Sequence, residues 1–116
     1  EGFMAQTGDV KFGNSKKSSF DLSLAGTGGS DLPNLKAEFT DIAHTRGILS
    51  AARSADPDSA NSQFFICFDS APHLDRQYSA FGKVTKGMEF IDKIKKGDPR
   101  SGSVPNPDKI ISLRSK

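Results

Sequence analysis

Gln63 and Phe65 are the residues of this chain whose side chains and spacing point most directly to a binding or catalytic role. Both lie in the most apolar run of the sequence, Asn61 to Phe68, whose length and aromatic content predict a strand. Alternate side chains of a strand share a face, so Gln63 and Phe65 lie together. An amide beside an aromatic ring suits a groove with an apolar floor and one polar group. The strand alone favours a plainer interpretation, in which Gln63 is at the surface and Phe65 belongs to the core.

Other stretches are predicted to hold this strand in place. Short strands are expected at residues 2–6, 48–52, 79–85 and 110–114. The best helix candidate is 87–96, where apolar residues recur at helical spacing, and its stripe is expected to be core: Met88, Phe90, Ile91 and Ile94. The opposite face of the central strand is also an ordinary core set: Ser62, Phe64, Ile66 and Phe68.

Three further features of the sequence each have a plain interpretation, and for some of them a functional one as well. Gly26-Thr27-Gly28-Gly29 has the spacing of neither phosphate-binding loop, and we interpret it as a turn that needs positive φ. The small residues of 48–52 would let a bound peptide pair with the main chain, or would simply pack tightly. His44 precedes Gly47 in a loop, where a single histidine is usually polar surface.

Composition narrows the class of protein. The 116 residues suit one domain, 1–116, and the net charge of +2 comes from 16 scattered basic and 14 acidic residues. No basic stripe indicates nucleic acid, and no apolar run is long enough to span a membrane. One cysteine, Cys67, permits no intrachain disulfide and is expected to be a buried, inert thiol. With only two histidines and no ligand spacing, no metal site is expected.

Five blocks in fixed order around the central strand resemble the cyclophilins, which are peptidyl-prolyl cis-trans isomerases. The blocks are Gly2–Asp9, Gly26–Gly29, Gly47–Ser54, Pro72–Asp75 and Phe81–Val84. The stretch from Arg53 to Ile66, with Pro72 to Asp75, is similar to the bacterial branch. Each block alone is weak, and their ordered combination is highly specific.

The resemblance implies a mainly β fold, a closed antiparallel β-barrel with a capping α-helix. The barrel is expected to be incomplete in this segment, because the family's first strands would fall before residue 1. The family's catalytic arginine would fall there too, since Arg53 occupies a different position of the motif.

The resemblance also implies the site. Gln63 and Phe65 are expected to be catalytic, with Phe65 forming the floor of a proline pocket. The expected substrate-binding residues are Phe3, Met4, Gln6, Gly26, Thr27, Ala52, Arg53, His73, Leu74 and Tyr78. His73 lies at the pocket rim, where eukaryotic members often have tryptophan, and Tyr78 stands where histidine is common.

The implied function is isomerisation of X-Pro bonds to assist protein folding, which requires no nucleophile, metal or cofactor. Proline-containing peptides and unfolded proteins are the expected partners, with weak binding of cyclosporin-type inhibitors. Two alternatives remain: a proline-peptide binding module with little turnover, and an unrelated small structural β-domain that the ordered blocks disfavour. A monomer is expected once the domain is complete. The cytoplasm is the expected compartment, with the periplasm as the alternative.

Overall fold

The computed structural model describes residues 3–98 and 100–115, and within these ranges the regular structure is mainly β. The predicted start of the first strand at Gly2 lies outside the described residues. The strands are β1 (Met4–Thr7), β2 (Ile48–Ala51), β3 (Phe64–Cys67) and β4 (Ala80–Lys83). A 3₁₀ turn spans Pro72–Leu74, and one short helix, α1, spans Met88–Ile91.

The four strands form one antiparallel sheet in the order β1-β3-β2-β4. The apolar run that contains β3 therefore lies inside the sheet, as its composition predicts. Phe65 is paired with Gln6 of β1 on one side and with Ser50 of β2 on the other. This register fixes which residues stand around Phe65.

Within the described residues the barrel is not closed, because β1 and β4 remain edge strands and closure requires every edge to pair. The strand predicted at 110–114 is wrong. That stretch is irregular and exposed, with Ile111 98% and Leu113 73% accessible. No described strand lies beside it to satisfy its backbone groups.

The helix is also smaller than predicted. α1 begins after Gly87, whose φ is 94°, and its four residues form about one turn. Tighter bonds follow, from the N–H of Lys93 to the carbonyl of Phe90 and from Ile94 to Ile91. Phe90 is 67% exposed and no helix residue is buried, so the predicted core role of the stripe is wrong. A single turn whose side chains are at most half-buried gains little stability from packing.

The core lies on one face of the sheet. Its buried cluster contains Ala52, Phe65, Cys67, Ala71 and Leu74. Of the face predicted as core, Phe68 is buried, but Phe64 and Ile66 are only half-buried. Phe81 of β4, which meets Phe64, is 62% exposed. The described elements cover the Phe65 side of β3 instead. Cys67 is fully buried, as predicted, and burial raises the pKa of its thiol.

Candidate functional site

A groove of about 100 Å³ opens beside the core cluster. β1 and the residue before it supply three lining residues, and the two residues after β2 supply two more. β3, the 3₁₀ turn and Tyr78 supply one each. The lining is Phe3, Met4, Gln6, Ala52, Arg53, Phe65, Leu74 and Tyr78. Eight residues predicted from separate parts of the sequence thus meet in one place.

Phe65 forms the floor of this groove and is only 3% exposed. Tyr78 meets its ring edge-on, with centroids 5.8 Å apart, a favourable arrangement for two aromatic rings. Apolar cavities of ~150 Å³ can hold one benzene molecule. A groove of about 100 Å³ therefore suits one smaller apolar ring.

Arg53 closes one wall with its guanidinium stacked on Tyr78, 4.5 Å from the ring centroid. Its Nε and Nη2 donate to the carbonyl of Gln77 at 3.2 and 2.6 Å, and Nη1 donates to the carbonyl of Ser54 at 2.9 Å. Most of its donors are thus used within the chain, and the side chain is held as a wall.

Gln63 lies beside the groove and lines a neighbouring cavity instead. Its Nε2 donates to the carbonyls of Gly26 (3.0 Å) and Gly28 (2.7 Å), which uses both amide hydrogens. Its Oε1 accepts from Nε2 of Gln6 at 2.9 Å. Gln6 is therefore the amide that faces the groove, and Gln63 holds Gln6 and the glycine turn in place.

Asp9 holds the same turn from the other side, a role that the sequence reasoning missed. Its Oδ2 accepts from the N–H groups of Gly26 (2.8 Å) and Gly28 (2.9 Å). Its Oδ1 accepts from the N–H groups of Lys11 and Phe12. Burial raises the pKa of Asp9, but these four hydrogen bonds outweigh it and lower the pKa below its usual value. Only the local bonds to Lys11 and Phe12 have a sequence signal, an aspartate that starts a turn.

Gly26 and Thr27, predicted to contact substrate, lie in this turn and outside the groove lining. Gly26 has a φ of 97°, which agrees with the predicted need for positive φ. The Thr27 hydroxyl donates to the carbonyl of Leu24 at 2.6 Å. The turn is linked to the groove through Gln63 and Gln6.

His73 also lies outside the groove lining. It is exposed, and its ring meets Phe3 edge-on with centroids 5.3 Å apart. His73 therefore adjoins the rim through Phe3, close to where it was predicted.

β2 cannot pair with a bound peptide along Ile48–Ala51, because β3 and β4 already occupy its two edges. The N–H of Ala52 donates to the carbonyl of Gln63 at 3.0 Å. The suggestion of main-chain pairing along this strand is therefore wrong, and only contacts beyond its end remain.

His44 was interpreted as polar loop surface, and that interpretation is wrong. Its side chain is 1% exposed, and its ring stacks on Phe65 with centroids 6.2 Å apart. Asp75 and Ser50 bind its two ring nitrogens. Asp75 is 31 residues away in sequence, so no spacing pattern in the sequence predicts this contact.

Within 3–98 and 100–115, no three side chains of histidine, cysteine, aspartate or glutamate come together as a metal site. Over the same residues, no helix has the length and apolar character needed to cross a membrane.

Comparison with known proteins places the chain in a family. Residues 1–115 match the family described as cyclophilin type peptidyl-prolyl cis-trans isomerase/CLD. The chain belongs to this family, which confirms the resemblance of its ordered blocks. A probable peptidyl-prolyl cis-trans isomerase of Brucella abortus (strain 2308) is 59% identical over 95% of this chain and 56% of its own length. A peptidyl-prolyl cis-trans isomerase from Arabidopsis thaliana is 42% identical over 99% of this chain and 49% of its own length. The chain spans about half the length of these relatives.

Solved structures show the same fold. A cyclophilin from Hirschia baltica, 21% identical, has a TM-score of 0.69 over 92% of this chain and 53% of its own. A Cryptosporidium parvum cyclophilin type peptidyl-prolyl cis-trans isomerase, determined in the presence of the dipeptide Ala-Pro, is 27% identical. It has a TM-score of 0.67 over 91% of this chain and 63% of its own.

Proposed function

We propose that the groove binds the proline ring of a peptide and supports cis-trans isomerisation of the preceding bond. The observation that carries this proposal is the convergence of Phe3, Met4, Phe65 and Leu74 around one small apolar space. The Cryptosporidium parvum relative was determined in the presence of Ala-Pro, and this supports a proline-containing ligand.

The proposed mechanism is physical rather than covalent. Amide resonance gives a peptide bond a rotation barrier of about 18–20 kcal/mol, and this resonance is lost in the twisted state. A dry groove that holds the ring, with a donor placed at the twisted amide, stabilises that state more than either planar isomer. Gln6 is the candidate donor, because Gln63 takes only one of its two amide hydrogens.

Gln6→Ala in the full-length protein tests this role. We expect kcat on a cis-prolyl peptide to fall about tenfold or more with KM changed much less, because the donor acts mainly in the transition state. Asn14→Ala, which removes an amide that does not line the groove, is the control and should retain wild-type kinetics. An unchanged kcat in Gln6→Ala would show that Gln6 is not the donor. A wild-type protein with no isomerase activity would contradict the proposed catalytic function.

One observation favours the second candidate, a proline-peptide binding module with little turnover. Among the described residues Arg53 is the only cation that lines the groove, and most of its donors go to backbone carbonyls. The same kinetic assay separates the two candidates. Peptide binding without accelerated exchange between the cis and trans isomers would identify the binding module.

We extend the proposal to unfolded proteins as substrates, since a groove that holds one ring contacts few of the residues around the proline and therefore selects little for sequence. Weak binding of cyclosporin-type inhibitors belongs to the same proposal. The cytoplasm remains our proposed compartment, with the periplasm as the alternative.

A further inference from the structure

The imidazole of His44 lies directly behind the floor of the groove. It is nearly parallel to the Phe65 ring, with an interplanar angle of 22° and centroids 6.2 Å apart. It does not line the groove itself and is 1% exposed. No role in the proposed mechanism uses this buried, titratable ring.

Hydrogen bonds fix the ring at both nitrogens. Nδ1 lies 3.2 Å from Oδ1 of Asp75, and Nε2 lies 2.8 Å from Oγ of Ser50. An ionised carboxylate only accepts, so Nδ1 donates to Asp75, and Nε2 is bonded to the Ser50 hydroxyl. With both nitrogens bound, the ring is held in one orientation.

The backbone of His44 is bonded on both sides of the turn that carries Leu74. Its N–H donates to Oδ1 of Asp75 at 2.7 Å, and its carbonyl accepts from the N–H of Ala71 at 2.8 Å. Ala71 and Asp75 flank the 3₁₀ turn that carries Leu74 into the groove. Ser50 is paired directly with Phe65 across the sheet. His44 is thus bonded to Ser50, next to Phe65 at the floor of the groove, and to Ala71 and Asp75, on either side of the turn that carries Leu74.

We propose that His44 is a positioning residue that holds the Phe65 ring and the Leu74 turn at a fixed separation. This inference rests on the proposed function of the groove. A fixed separation matters because small misplacements of a group that positions a substrate can reduce rates by ~10²-fold. The plainer interpretation is a buried histidine that contributes only stability.

The double variant His44→Phe/Ser50→Ala tests the proposal in the full-length protein. It retains an aromatic ring against Phe65, removes both side-chain hydrogen bonds of the imidazole, and leaves no hydroxyl without a partner. Arg46→Gln is the control, because it removes the ion pair with Asp92 and a bond to the carbonyl of Phe68, outside the groove. Ser50→Ala alone is a milder variant that frees only one nitrogen.

Two readouts are measured well below the melting temperature of each variant. The first is kcat/KM on a cis-prolyl peptide, expected to fall about tenfold in the double variant and to stay near wild type in Arg46→Gln. The second is the ring ¹³C–¹H NMR signal of Phe65, assigned with Phe65→Leu. We expect it to shift and broaden in the double variant, to change less in Ser50→Ala, and to be unchanged in Arg46→Gln.

The proposal is overturned if the Phe65 signals do not change, or if kcat/KM stays within twofold of wild type while stability falls. If the double variant does not fold, Ser50→Ala provides the test, and unchanged Phe65 signals in that variant overturn the proposal. If the wild type itself shows no isomerase activity, the proposed function fails, and the Phe65 signals still decide whether His44 positions the ring.

Discussion

Gly26 and Gly28 are each held twice, by Gln63 through their carbonyls and by Asp9 through their N–H groups. One side-chain nitrogen and one side-chain oxygen thus fix both ends of the glycine turn. Hydrogen bonds from both sides therefore restrain the backbone of a turn that is largely exposed.

Asp9→Asn should loosen this turn and make stability less dependent on pH. Hydrogen bonds to charged groups contribute about 1.5–3 kcal/mol, so we expect a loss of about that size at pH 7. The folded pKa of Asp9 is lowered, so its contribution is present above the unfolded pKa, about 3.9, and is lost as pH falls through the folded value.

Urea unfolding of wild type and of Asp9→Asn, from pH 7 to pH 3, measures the difference between their unfolding free energies. This difference should become smaller below about pH 4. The other aspartates with lowered pKa are present in both proteins, so the difference isolates Asp9. A gap that stays constant over the whole range would show that the four hydrogen bonds add no stability to the ionised form.

His73→Trp should tighten binding of cyclosporin, because tryptophan buries more apolar area and adds an indole N–H donor at the rim. His73 is exposed and touches Phe3 only at its edge, so the larger ring has room. A gain of about 1 kcal/mol corresponds to roughly fivefold in Kd. Titration of the inhibitor into both proteins checks it, and equal affinities would mean that His73 does not shape the rim.

Among the elements, β1 depends on a glycine at its end. Gly8 has a φ of 96°, and a Cβ there would overlap the carbonyl oxygen of Ser62. Gly26 has nearly the same φ, 97°, but a Cβ there would meet no described atom within 4 Å. Comparing substitutions at the two positions therefore distinguishes the cost of the left-handed backbone from the cost of a steric overlap.

Gly8→Ala should destabilise the protein more than Gly26→Ala. Both variants bear the cost of a left-handed backbone, ~1–2 kcal/mol, and Gly8→Ala must also move β1 away from β3. We expect its total loss to be about twice as large or more. Urea unfolding of the two variants side by side measures this, and equal losses would mean that β1 and β3 separate without cost.

How far the elements could be predicted depends on whether their signal is local. The apolar run predicted β3, because period-two patterns are local. The alternation was less reliable for Gln63, which precedes β3 and lines the cavity that Phe64 lines rather than the groove. The helix at 87–96 was predicted too long, since the pattern could not show that Phe90 is 67% exposed and adds little burial to the helix. His44 and Asp9 were missed for the complementary reason, because their key partners, Asp75 and Gly26, are distant in sequence.

The whole molecule has two unlike sheet faces. The Phe65 face is buried under the 3₁₀ turn and its neighbours and carries the groove. On the other face, Phe64 is half-buried and meets the exposed Phe81 edge-on, beside a cavity of about 220 Å³ that Leu35 also lines. Size alone would favour this second cavity as the ligand site, but its lining lacks the residues that the family resemblance singles out, apart from Gln63.

Titration of the full-length protein with an Ala-Pro peptide, followed by side-chain NMR, tests the central claim most directly. The proline ring is proposed to enter the groove, so the signals of Met4, Phe65 and Leu74 should shift in a saturable way. Those of Phe64 and Phe81 on the opposite face should stay in place. Shifts confined to Phe64 and Phe81, or no saturable shift at the groove, would contradict the account.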